Sequence, residues 1–173
     1  MKQLTILGLL ILVIVGVSVN AAPPKLQTPS PVIYLADNLD EQDNLGWCID
    51  TQGRGFAETL QTHSCKPQGG DVQFALNTGS QQIYSVEYDG KCATLNQPAA
   101  VGVTFDLLDC SDSELQKFNY NSERMEFSPQ ANANLCITAG AESRAAGPFM
   151  SRDLKLGECE ATESSLKQWI IAE

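Results

Sequence analysis

Six cysteines recur along this chain with a spacing that limits what it can fold into. Cys48, Cys92 and Cys136 stand 44 and 44 residues apart, and Cys65, Cys110 and Cys159 stand 45 and 49 apart. An early and a late cysteine, repeated three times at a near-constant interval, mark three copies of one structural unit. Six cysteines allow 15 pairings in principle. Each unit, however, holds one early and one late member, so pairing within units is the economical arrangement: Cys48 with Cys65, Cys92 with Cys110, Cys136 with Cys159. Loops of this length are each worth about 3 kcal/mol in the chain-entropy description of a cross-link. A zinc reading fails, because there is no Cys-x-x-Cys and the chain has a single histidine.

Disulfides persist in oxidising compartments, and the amino terminus carries the matching address. Met1 and Lys2 are followed by an almost wholly apolar run from Leu4 to Val19, and Val19-Asn20-Ala21 supplies small residues at a cleavage site. Residues 1–21 therefore read as a secretory signal peptide, cleaved after Ala21 or Ala22. The run is short of the ~20 residues of a spanning helix, and no later segment is long and apolar enough, so membrane insertion after cleavage is not expected. Residues 22–31, with Pro23, Pro24, Pro29 and Pro31, read as a flexible lead. The remainder, roughly 150 residues with the lead, is enough for one domain and too little for two. With 21 acidic against 11 basic residues and a net charge of −10, the chain would repel phosphate backbones and anionic headgroups. Nucleic acid is thus a poor partner.

The repeat extends beyond cysteine. Five and three residues before each late cysteine stand Leu60 and Thr62, Phe105 and Leu107, Leu154 and Leu156. Alternation at period two marks a half-buried strand. Each unit then places an aromatic eight to ten residues after that cysteine, at Phe74, Phe118 and Trp169. The early cysteines open strand-like segments, Cys48-Ile49-Asp50, Cys92-Ala93-Thr94 and Cys136-Ile137-Thr138, and Val32-Ile33-Tyr34, Gln82-Ile83-Tyr84 and Met125-Glu126-Phe127 precede them. Turn formers such as Asn77-Thr78-Gly79-Ser80, Asp89-Gly90 and Ala146-Gly147-Pro148 punctuate the strands. Four short strands per unit and no amphipathic helix predict an all-β domain of about twelve strands over residues 32–173, with units near 32–80, 81–122 and 123–173.

Over this whole span the chain resembles the ricin-type lectins, whose fold is the β-trefoil. The resemblance rests on the Cys-x-Asp/Thr start, the Leu-x-x-x-x-Cys approach to the late cysteine and a glutamine-and-aromatic signature after it. That signature is degenerate here: Gln116-Lys117-Phe118 keeps its form, whereas Val72-Gln73-Phe74 and Lys167-Gln168-Trp169 set glutamine beside the aromatic. The resemblance implies a sugar pocket built from Asp50, two residues after the early cysteine, from Gln61 and His63, and from Asp71. A carboxylate accepts charge-assisted bonds from two neighbouring hydroxyls. The ring of His63 would lie against the apolar face of a pyranose, and its protonation near neutrality would make binding sensitive to acidity. The implied ligand is a neutral, galactose-type carbohydrate or glycoconjugate, since an acidic surface disfavours anionic glycans.

Each of the four residues also has a purely structural reading: an Asx turn at Asp50, an exposed strand position at His63, solvated polar sites at Gln61 and Asp71. The second unit places Thr94, Asp106, Leu108 and Leu115 at these positions and the third places Thr138, Lys155, Gly157 and Leu166, so neither rebuilds the pocket. Trefoils also serve as protease inhibitors and growth factors, which keeps a protein partner open as the second reading. Catalysis is not expected, because a nucleophilic triad would have to use His63 beside the paired Cys65. No cofactor motif is present, and the acidic stretch Asp37–Asn44 lacks regular calcium-loop spacing and reads as a solvated loop.

Overall fold

The computed structural model describes residues 22–173, and the expected signal peptide at residues 1–21 lies outside the described residues. Thirteen strands form: β1 (Val32–Leu35), β2 (Trp47–Thr51), β3 (Leu60–Ser64), β4 (Phe74–Asn77), β5 (Gln82–Ser85), β6 (Lys91–Leu95), β7 (Phe105–Asp109), β8 (Phe118–Asn121), β9 (Glu126–Pro129), β10 (Leu135–Ala139), β11 (Arg144–Ala146), β12 (Phe149–Glu158) and β13 (Trp169–Ala172). The thirteenth beyond the expected twelve is β11. It arises because the third unit carries the longest span between its cysteines, and the Ala146-Gly147-Pro148 turn, with Gly147 at φ +66°, folds the surplus back onto β12.

Three hairpins, β2–β3, β6–β7 and β10–β12, share one register. Cys48 faces His63, Cys92 faces Leu108 and Cys136 faces Gly157. Three more hairpins, β4–β5, β8–β9 and β13–β1, alternate with them, the last joining the two ends of the domain through Val32↔Ala172. This threefold arrangement is a β-trefoil. The disulfides are Cys48–Cys65, Cys92–Cys110 and Cys136–Cys159, with Cα separations of 5.0, 4.9 and 5.0 Å. All six cysteines are thereby used, the chemistry of an oxidising compartment. Among the described residues no helix is long and apolar enough to cross a membrane.

The core is filled by symmetry-related side chains. Phe74, Phe118 and Trp169 are buried together with Ile33, Ile83 and Phe127 from the first strands and Leu60, Phe105 and Leu154 from the third strands. One ring of positions is solved three ways. The residue two before each core aromatic meets the residue opening the first strand of each unit, and the pair is Val32 with Val72 in an apolar cluster, Gln82 with Gln116 through a hydrogen bond from Nε2 to Oε1 of 2.9 Å, and Glu126 with Lys167 at 3.2 Å. The degenerate glutamine signature is therefore a change of partner chemistry at a fixed position rather than a loss of structure.

Two expectations are corrected. The lead is docked, not free: Lys25 N–H donates to Asn44 O and Asn38 N–H to Ala22 O, both at 2.7 Å, and Gln73 Nε2 donates to Pro29 O at 3.0 Å. The acidic stretch is likewise built into the fold. Glu41 is buried and accepts from Leu45 N–H at 2.6 Å and Ser64 Oγ at 2.9 Å, Asn38 O accepts from Trp47 Nε1 at 2.8 Å, and Asp40 pairs with Arg152. Its carboxylates and amides answer backbone donors of the turn into β2, a demand that a reading by composition misses.

Candidate functional site

Antiparallel pairing puts residues that face each other, and those two further along, on the same side of a hairpin. Asp50 faces Gln61, and Cys48 faces His63, so the polar trio shares one side of β2–β3 while Ile49 and Thr62 share the other. Asp71 arrives from the loop after β3. The four residues named from sequence come together, and they do so around a fifth, Lys66. Its Nζ lies 2.6 Å from Asp71 Oδ1 and 3.5 Å from Asp50 Oδ1. Gln61 Nε2 donates to Asp50 Oδ2 at 3.3 Å, and His63 Nδ1 lies 3.7 Å from the same oxygen.

Burial grades sharply across this group. The Asp50 side chain is 0 % exposed, whereas those of Lys66 and Asp71 are 16 % and 15 % exposed. The ammonium thus lies over a sealed carboxylate. Burial pushes the Asp50 carboxyl up to about 7, with the Lys66 charge pulling the other way and Asp71 adding to the rise. Burial likewise lowers His63 below its ordinary range, with the bond to the Ser64 carbonyl opposing.

The ring of His63 is not the platform the sequence implied. It is 6 % exposed, its Nδ1 lies 2.9 Å from Ser64 O, and it packs edge-on against Phe149 at 5.6 Å. An exposed strand position is excluded for the same reason. The aromatic surface beside the acids comes instead from Phe56, 47 % exposed, and Tyr88, whose rings meet edge-on at 5.2 Å. Burial, then the negative charges of Asp71, Glu87 and Asp50, raise the Tyr88 hydroxyl above its usual range, placing it in the field of both site acids. Sequence reasoning missed Lys66, Phe56 and Tyr88. Lys66 had a signal, a lone cation between His63 and Asp71 in an acidic chain. Tyr88 belongs to the second unit and reaches the site only through the fold.

The equivalent positions elsewhere are committed to structure. Thr94 Oγ1 accepts from Gln116 Nε2 at 2.9 Å and donates to Cys92 O at 3.0 Å. Thr138 Oγ1 donates to Lys155 O at 3.0 Å. At Gly157 a Cβ would lie 2.8 Å from Thr162 Oγ1, so the third unit has no room for a ring there. Glu126, Cys136 and Cys159 converge within 4.8 Å, but both sulfurs are joined in a disulfide and offer no thiolate to a metal.

No protein-family profile matches the chain, and no curated protein matches it in sequence. Solved structures do match in fold. The β-trefoil lectin of the Vibrio vulnificus hemolysin/cytolysin, determined with N-acetyl-D-lactosamine bound, superposes with a TM-score of 0.54 at 15 % identity, over 82 % of this chain and 92 % of that one. The agglutinin from Abrus precatorius gives 0.58 at 13 % identity over 85 % of this chain and 48 % of that one. GalNAc-T7, determined with UDP, GalNAc and Mn2+, gives 0.55 at 17 % identity over 87 % of this chain and 23 % of that one.

Proposed function

We propose that this chain is a secreted lectin that binds a neutral, galactose-type glycan at one site, in the first unit, through Asp50, Gln61, Lys66 and Asp71. The observation that carries the reading is the sealed Asp50 carboxylate under Lys66. A buried charge is costly, and the fold alone does not require it: the second and third units place threonine at the same position and close equally well. Two solved neighbours being a lectin and an agglutinin adds support from fold.

In the proposed complex Lys66 swings off Asp50 about its bond to Asp71, opening the sealed carboxylate, and two adjacent sugar hydroxyls donate to it in place of the long Lys66 contact. Lys66 stays with Asp71, where its bond is shorter, and donates to a ring or hydroxyl oxygen. Gln61 holds the second Asp50 oxygen in place, and Phe56 with Tyr88 offers the apolar face of the pyranose a wall. His63 supports Asp50 from behind rather than stacking on sugar. The role proposed is binding; the histidine that a nucleophilic triad would use is buried, with Nδ1 against a backbone carbonyl.

Because the ionised form of Asp50 is the acceptor, affinity rises with pH through about 7, by about tenfold between pH 6 and pH 8. A glycan array followed by calorimetry checks this, with N-acetyl-D-lactosamine as the first probe. Asp50→Asn should abolish binding while the protein stays folded. If the wild-type protein retains no neutral glycan at millimolar concentration, the reading fails.

A further inference from the structure

An open groove of about 1100 Å³ lies where the third unit meets the second, bounded by Ala99–Val101, the β8–β9 hairpin, the Asn132–Cys136 approach to β10 and the Cys136–Cys159 disulfide. Pseudo-symmetry gives its meaning, because in the first unit the corresponding place is filled by chain. There Leu26 packs on Val32, Cys48, Cys65 and Val72 beside Tyr34 and Ala172. Lys25 N–H donates to Asn44 O at 2.7 Å, and Gly46 lies so close to Pro24 that an added Cβ would stand 2.8 Å from its Cβ.

The strand registers carry this floor onto the third unit. Val32 becomes Glu126, Tyr34 becomes Ser128, Ala172 becomes Asn121, and the cysteines become Cys136 and Cys159. All five counterparts line the groove. The bond from Cys65 N–H to Gly46 O at 2.9 Å recurs from Cys159 N–H to Asn134 O at 2.9 Å, so Asn134 stands where Gly46 underlies Pro24, and Asn132 where Asn44 receives Lys25. The same groove is thus present with a changed floor: valine, tyrosine and alanine give way to glutamate, serine and asparagine. The second floor valine, Val72, becomes Lys167, whose ammonium lies 3.2 Å from Glu126. Glu123, Glu126, Glu158 and Glu160 line the groove against the guanidinium of Arg124, engaged with Glu126 at 2.8 Å and Glu160 at 3.3 Å, so Glu123 and Glu158 supply the acidic excess.

We infer that the third-unit groove docks an extended segment of a partner protein, held through its main chain as the lead is held in the first unit, with a lysine or arginine where the lead places Leu26. The acidic excess selects the cation, and the polar floor weakens the hold on leucine, with Ala99–Val101 left as a wall for the aliphatic stem. The protein's own lead is not the occupant, because its bonds to Asn38, Asn44 and Gln73 tie it to the first unit.

Two labelled peptides test this against the intact exported chain by fluorescence anisotropy: the sequence Ala22–Pro31, and the same peptide carrying Leu26→Lys. The lysine peptide should bind saturably and about fivefold more tightly than its parent at low salt, with the gap closing as salt rises. Asn134→Trp, at an exposed position, should weaken it about tenfold by filling the groove. Glu158→Gln with Glu160→Gln should remove the preference for lysine, and Asp50→Asn should leave binding unchanged. Absence of saturation at millimolar peptide, equal binding of the two peptides, or indifference to Asn134→Trp overturns the inference. A concentration-dependent dimer blocked by Asn134→Trp also overturns it, and assigns the groove to a second copy of this chain.

Discussion

Asp50 is the residue where stability and the proposed function pull apart. Its carboxyl, held up at about 7, binds a proton more tightly in the folded chain than in the unfolded one, where the ordinary value is 3.8. Stability from this group is therefore fully present below about pH 4 and is lost as pH rises through about 7. His63 acts in the opposite sense: its lowered value means the folded state loses stability as pH falls below the ordinary 6.5. Asp50→Asn keeps the shape and a hydrogen-bonding partner for Gln61 but removes the charge. Relative to wild type it should be near neutral at pH 4 and stabilising by on the order of 4 kcal/mol above pH 7, read by urea unfolding at several pH values. A variant that becomes more stable while losing glycan binding carries the signature of a group kept for function. Asp50, Gln61, His63 and Asp71 were legible from sequence because their distances from the cysteines survive translation into strand register. The lysine that lies over them and the aromatics beside them were not, since Tyr88 comes from another unit and the burial of His63 is decided by Phe149 across the sheet.

At the scale of elements, the three symmetry-related pairs show how one position accepts different chemistries if both partners change together. Gln116 is the clearest case: its amide oxygen accepts from Gln82 Nε2 at 2.9 Å and Ser111 N–H at 2.8 Å, while its nitrogen donates to Thr94 and to Asp109 O. Gln116→Leu leaves those buried groups unanswered and should cost about 2–3 kcal/mol in urea unfolding. Replacing Gln82 and Gln116 together by valine copies the first unit's solution and should recover part of that loss. In the third unit Lys167→Met should cost about as much, leaving Glu126 with Arg124 alone. The strands and core aromatics were readable in advance through period-two alternation and repeated spacing. The lead and the acidic stretch were not, because proline content and charge describe a segment's composition and leave unstated the backbone donors waiting for it. Hydrogen exchange checks the corrected picture: the Lys25 and Leu45 amides should exchange far more slowly than those of a free segment.

For the whole molecule, three disulfides divide the work of restraint evenly among the units. Removing one by paired Cys→Ala replacement should cost about 3 kcal/mol, as chain entropy of an unfolded loop. The loss is predicted to be similar for all three, whereas glycan affinity should suffer chiefly at Cys48–Cys65, which anchors β2 and β3 under Asp50 and Gln61. Unequal side chains on an equal scaffold are what the sequence repeat implied, and the registers give the reason: the hairpins coincide, while the residues at each station do not.

The pairing of β1 with β13 sets a condition on how such a chain is made. Val32–Leu35 pairs along its whole length with Trp169–Ala172, which a ribosome makes much later, and meets β2 only at Tyr34↔Cys48. Folding is consequently not incremental: the first unit emerges with one edge of β1 unfilled, and closure waits for β13. Oxidation that ran ahead of that moment would join cysteines before register is fixed. The quality of the product then depends on the relative timing of chain synthesis and thiol oxidation.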